Sequence, residues 1–186
     1  RSFSADVSGF EVQVAYDMPY IQANGHTYIE CSWSGGNTDG HVVKTKKAYT
    51  GSYTTYSSNT NVSSLSGGWY LLYSSFTFSN RVTINGDVNF ILANDCNVEF
   101  DKGIYIPKDN KLTIYAEGDS DNMGYLWTDG SDGANGSIGG NEDNCGGHLV
   151  IHSGKIYAKP GSNNSAGIGG GDSSSSGMQS VTIYGD

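Results

Sequence analysis

Positive charge is scarce in this sequence. Its 186 residues include 10 lysines and arginines against 19 aspartates and glutamates, a formal net charge of −9. Binding to a nucleic acid needs a cationic footprint that displaces counterions from phosphate, and the composition excludes one. Lys44, Lys46 and Lys47 form a lone cationic cluster, which reads as a solvated strand edge guarded against pairing. Proline is also rare, at 3 residues, which argues against collagen and against a disordered Pro/Gly linker. The three cysteines, Cys31, Cys96 and Cys145, are too far apart for the paired spacing of a zinc site or a redox motif. Cys96 reads as a small buried hydrophobe, and disulfide pairing among the three stays open. No apolar run approaches the ~20 residues that span a bilayer, and no secretory leader is visible.

What remains is glycine, hydroxyl residues and aromatics: 27 Gly and 13 Tyr, with aromatics at 12%. That is too aromatic for a disordered chain. Glycine supplies the tight corners and β-branched residues supply the strands. One phrase recurs: Val82-Thr83-Ile84-Asn85, Leu112-Thr113-Ile114-Tyr115, Leu149-Val150-Ile151-His152 and Val181-Thr182-Ile183-Tyr184, at spacings of 30, 37 and 32 residues. A second phrase, Gly136-Ser137-Ile138-Gly139-Gly140, returns as Ala166-Gly167-Ile168-Gly169-Gly170-Gly171, with the two isoleucines 30 apart. A fixed period of this size marks a repeat architecture, and alternation with β-branched residues makes the unit a strand. The expected class is all-β: a parallel, right-handed β-helix (solenoid) preceded by a small antiparallel β region. Ile84, Ile114, Ile151 and Ile183 are expected to share one interior column.

Residues 1–48 form the antiparallel region, a cap or the end of a preceding domain. Its strands are Phe10 to Tyr16, His26 to Trp33 and His41 to Ala48. The polar stretch 49–66 reads as an extended connection. Strands are then expected at 69–73, 76–78, 81–84, 88–92, 97–100, 103–106 and 111–115, opening a β-helix over 67–186 that continues beyond the given chain. Residues 118–147, rich in Gly, Asp, Asn and Ser, read as a loop excursion from the wall. Without a polar cap on the last repeat, the expected partners are further repeats or neighbouring subunits of the same assembly.

From about Leu65 to Asp186 the chain resembles large, repetitive, glycine-rich bacterial cell-surface proteins of the adhesin-like β-helix kind. The phrases that carry the likeness are Gly67-Gly68-Trp69-Tyr70, Val82-Thr83-Ile84-Asn85-Gly86-Asp87-Val88, Phe90-Ile91-Leu92-Ala93-Asn94-Asp95-Cys96, Leu112-Thr113-Ile114-Tyr115 and Ala166-Gly167-Ile168-Gly169-Gly170-Gly171. The resemblance implies an extracellular or cell-surface protein with an adhesive or scaffolding role, and it brings no catalytic residues. Residues 1–48 lie outside it.

Chemistry-bearing groups are sparse. His148 and His152 should point outward from a strand whose other face carries Leu149 and Ile151. The glycine phrase lacks the Lys-Ser/Thr of a phosphate loop and reads as a corner anchored by one inward Ile. Asp119, Asp121, Asp129 and Asp132 are candidate calcium ligands, since calcium takes 6–8 oxygens; the alternative is solvated loop acids. Trp127 and Tyr125 are the candidate sugar-stacking pair; alternatively Trp127 anchors a loop or plugs one end. The expected function is therefore a non-catalytic extracellular structural or adhesive segment, with no cofactor beyond the calcium alternative. Competing classes are a carbohydrate-binding or carbohydrate-cleaving module and a subunit of an extracellular filament.

Overall fold

Where β-branched and aromatic residues alternate with polar ones, the chain is extended. The computed structural model describes residues 25–36, 40–118, 121–130, 133–161, 164–172 and 177–184. Among these are fifteen strands and no helix. The expected strand Phe10 to Tyr16, together with Asp119 and Asp132, lies outside the described residues.

Strands β1 (Thr27–Ser34) and β2 (His41–Ala48) form an antiparallel hairpin, with Thr27 opposite Ala48 and Ser34 opposite His41. Every later pairing between strands is parallel. Strand β3 (Thr54–Tyr56), inside the stretch read as a connection, pairs with β4 (Ser64–Leu72). Strand β5 (Phe76–Phe78) follows, then the long β6 (Val82–Leu92), β7 (Asn97–Phe100), β8 (Ile104–Tyr105) and β9 (Lys111–Ala116). The chain continues through β10 (Tyr125–Asp129), β11 (Ile138–Gly139), β12 (Gly146–Ile151), β13 (Lys155–Lys159), β14 (Ile168–Gly169) and β15 (Met178–Ile183).

Two parallel sheets result. One is four-stranded, in the order β13-β10-β7-β5; the other joins β14-β11-β8-β6-β9-β12-β15, with β4 and β3 also attached through β6. Strand β6 serves two strips of the larger sheet. Its residues Val82 and Thr83 pair with β8, whereas Asp87 to Leu92 pair with β9. Gly86 sits between them at φ +85, a conformation that glycine adopts without penalty.

Register stacks like on like. Val88, Leu112, Leu149 and Val181 are aligned, and beside them Phe90, Ile114, Ile151 and Ile183. Val82, Ile104, Ile138 and Ile168 make a third line. Across the core, Phe76, Val98, Leu126 and Ile156 make a fourth. These lines meet in a single apolar cluster in which Phe78 and Phe100 stack at 4.5 Å and Phe100 also faces Phe90 at 5.9 Å. Fully burying one such aliphatic or aromatic side chain is worth about 1.5–3 kcal/mol.

The expected column of four isoleucines needs correction. Ile114, Ile151 and Ile183 share it, but Ile84 aligns with Leu65 on β4, and the place beside Ile114 on β6 is taken by Phe90, itself aligned with Tyr70 on β4. The bend at Gly86 accounts for the error, because it places Val82-Thr83-Ile84 on the strip of β8 rather than that of β9. The glycine phrases are in phase as expected, Ile138 with Ile168 and Gly139 with Gly169. The 118–147 excursion is also corrected. It contributes β10 and β11 to the two sheets, with Leu126, Thr128, Ser137 and Ile138 fully buried. The inward hydroxyls of Thr128 and Ser137 satisfy each other at 2.6 Å, so a polar-looking sequence still supplies core strands.

The hairpin β1–β2 covers the outer side of β9. Tyr28 packs on Tyr115 at 4.8 Å and on Trp69 at 5.3 Å, and Trp69 stacks on Tyr115 at 5.4 Å. Thr113 and Tyr115, on the face of β9 away from the core, and Glu117 just after the strand are buried as well. Burial pushes the Tyr115 phenol up to about 12.

Candidate functional site

The outer face of the four-stranded sheet remains uncovered by the hairpin. On β10 the alternation puts Leu126 and Thr128 into the core and leaves Tyr125, Trp127 and Asp129 facing out. Parallel register then aligns Thr77 of β5, Glu99 of β7, Trp127 of β10 and Tyr157 of β13 in one outward row. Trp127, expected in a polar loop, is thus a strand residue in the middle of a wall. Tyr157 is 48% exposed and meets the indole edge-on, with ring centres 5.9 Å apart.

Beside the indole lies a cleft of about 300 Å³, lined by Asn59, Thr77, Asn97, Glu99 and Trp127, with Phe76 and Ser75 at its margin. That volume is at the lower end of the range for small-molecule sites. Its polar groups are partly ordered by one another. The Thr77 hydroxyl donates to Glu99 Oε2 at 3.3 Å, and the Thr77 amide donates to Asn59 Oδ1 at 2.9 Å. Trp127 Nε1 is buried and has no hydrogen-bond partner. An unmet buried donor costs about 1–3 kcal/mol.

The two described candidate calcium ligands sit at opposite ends of β10. Asp129 is ion-paired with Lys159, its register partner on β13, at 3.1 Å. Asp121 lies in the turn before β10, where its backbone carbonyl accepts from Lys155 Nζ at 3.1 Å. No group of three or more His, Cys, Asp or Glu side chains among the described residues could hold a metal ion. The sequence singles out Tyr125 and Trp127; of these the structure places Trp127 in the row, with Thr77, Glu99 and Tyr157, which the sequence does not single out. Tyr157 was within reach, since it follows Trp127 by the same 30 residues that separate Ile138 from Ile168.

Other titratable groups cluster under the hairpin. His26 Nδ1 pairs with Glu117 Oε1, and Glu117 Oε2 accepts from the Asn94 amide at 3.2 Å. His148 faces outward from β12, opposite Leu149 and Ile151, as the alternation implies; His152, expected to be exposed as well, follows the strand and is half-buried against Cys31 of the hairpin. His148 Nδ1 lies 2.8 Å from the Ser180 hydroxyl. His152 stacks between Tyr115 and Tyr184, at 4.6 and 5.0 Å. Cys31, Cys96 and Cys145 form no disulfide. Burial raises the Cys96 thiol to about 12, which leaves it an inert core residue rather than a nucleophile. No protein-family model, curated protein or solved structure matches this chain.

Proposed function

We propose that the chain is a right-handed parallel β-helix acting as a non-catalytic, extracellular scaffold with an adhesive side wall. The observation that carries this reading is the repetition of register. Four interior lines each run through four successive strands with an apolar residue at every step. A chain that coils with its strands in step gives that pattern, and right-handed crossovers are the rule for parallel strands. Coiling fixes the outward rows as firmly as the inward ones, so a wall residue is displayed in a constant relation to its neighbours. Such a surface suits attachment better than turnover, and an acidic, hydroxyl-rich exterior suits the cell surface.

Two measurements test this. Nuclear Overhauser contacts in the purified chain should link the register partners Leu112, Leu149 and Val181 from rung to rung. Displayed on a non-adherent bacterium, the chain should increase retention on a mucin-coated surface. Absence of those contacts argues against the coil, and unchanged retention argues against adhesion. Release of reducing ends from polysaccharides would replace the scaffold with a carbohydrate-cleaving module.

A further inference from the structure

We infer that the outward row Thr77–Glu99–Trp127–Tyr157 is a binding platform for a neutral glycan. The inference rests on the adhesive reading only in naming what that wall would attach to; the site itself stands on the geometry. A sugar ring presents a patch of C–H bonds on one face and hydroxyls around its rim. It is held by an aromatic side chain under the face and by carboxylate, amide or hydroxyl groups at the edge. This wall has both in one row. Trp127 and Tyr157 supply aromatic surface on adjacent strands, and Tyr125 lies two residues before Trp127 on the same face of β10.

The cleft beside the indole presents the Glu99 carboxylate with the Asn59, Asn97 and Thr77 side chains. One Glu99 oxygen is held by Thr77, which fixes the carboxylate's position. The second independent sign is the buried Trp127 indole N–H, which has no acceptor.

Charge selects among occupants. Glu99 in the row and a formal net charge of −9 repel sulfated or uronate polymers. Two lysines of β13 flank Tyr157: Lys159 is paired with Asp129, and Lys155 Nζ donates to the Asp121 backbone carbonyl. A neutral hexose or N-acetylhexosamine chain meets no such penalty.

The test is titration of the whole chain with maltohexaose, cellohexaose, mannohexaose and chitohexaose, read by tryptophan fluorescence and calorimetry. At least one should give saturable binding. Trp127→Ala should weaken it tenfold or more and Tyr157→Ala severalfold, while Trp127→Phe recovers part of the loss. Trp33→Phe, on the hairpin, should keep both the affinity and the fluorescence change. The Tyr157 variant guards against a folding defect, because its ring is half exposed and its thermal transition should match the parent's.

Absence of saturable binding to all four sugars overturns the inference. So does binding retained in a folded Trp127→Ala, Tyr157→Ala double variant. Retention on mucin that survives Trp127→Ala leaves the adhesive scaffold standing and overturns the glycan platform. Sugar binding in solution without retention supports the platform and overturns adhesion.

Discussion

His26 and Glu117, 91 residues apart in sequence, form a buried side-chain pair that joins the start of the hairpin to the end of β9. Each is 8% exposed. The rings of Tyr53 and Tyr73 stand edge-on to the imidazole at 5.9 and 5.8 Å. Together with the Asn94 amide, which also bonds Glu117, the pair ties hairpin, wall and corner together. Truncating Glu117 to Ala strands two donors at once and should lower stability by about 1–3 kcal/mol, measured by urea unfolding. Glu117→Gln, which keeps acceptor capacity, should lose less. A double-mutant cycle with His26→Ala should show coupling, and additive losses would mean the pair does not act as a unit.

The column Phe90–Ile114–Ile151–Ile183 gives a graded test of packing. Ile114 is fully buried, whereas Ile183 is 56% exposed. Ile114→Ala should therefore cost about 2–5 kcal/mol, the usual range for emptying a filled core site. Ile183→Ala should cost well under half as much. Ile114→Asp should abolish the cooperative transition, since it buries an unpaired charge. Equal losses at both alanine variants would show that the described end of the column is covered in solution.

Sequence periodicity reached much of this fold because the repeated unit is short and its alternation survives in the residues themselves. His41–Ala48 and 97–100 coincide with the observed strands β2 and β7. The misses have physical causes. Val82-Thr83-Ile84 looks like Leu112-Thr113-Ile114, but a bend at Gly86 assigns the two to different strips, and a bend leaves no mark on alternation. Strands β10 and β11 went unseen because Thr128 and Ser137 bury hydroxyls that satisfy each other, so the segment looks like loop. The wall site was half legible. Tyr125 and Trp127 were readable as neighbours on one segment, whereas Glu99 enters through inter-strand register, which composition does not encode. The His26–Glu117 pair spans too much chain for any local signal.

The paired glycines Gly139 and Gly169 should be far less replaceable than the open Gly177. Both have positive φ, +141 and +150. A Cβ on Gly139 would stand 2.1 Å from the Gly169 carbonyl oxygen, so the two strips can approach only while residue 139 has no side chain. Gly139→Ala should destabilise by about 1–3 kcal/mol from backbone strain alone, with the clash adding to it. Gly177→Ala, which meets nothing within 4 Å, is the matched control. Thermal melts that fall by similar amounts in both variants would contradict the close approach.

His152 should make stability fall on mild acidification. Its Nδ1 accepts from the Cys31 amide at 3.0 Å, and its ring lies nearly parallel to Tyr115 and Tyr184, at 5° and 9°. Burial lowers its pKa below the ordinary 6.5; hydrogen bonding to the Cys31 backbone and the Glu30 charge oppose this, and Lys47 adds to it. The folded state therefore holds a proton on this ring less readily than the unfolded chain does. Its contribution is fully present above 6.5 and is lost as the pH falls from there through the lower folded value. Nδ1 also lies 3.0 Å from the Cys31 carbonyl oxygen, to which the protonated ring donates, so the cost of protonation is chiefly the burial of the charged ring. Urea midpoints recorded from pH 8 down to about 5 should drop more steeply below 6.5 in the parent than in His152→Asn. Protection factors at β1, taken against the intrinsic exchange rate at each pH, should fall over the same interval. Parallel pH curves for parent and variant would remove His152 from the account and leave the acid sensitivity to other groups.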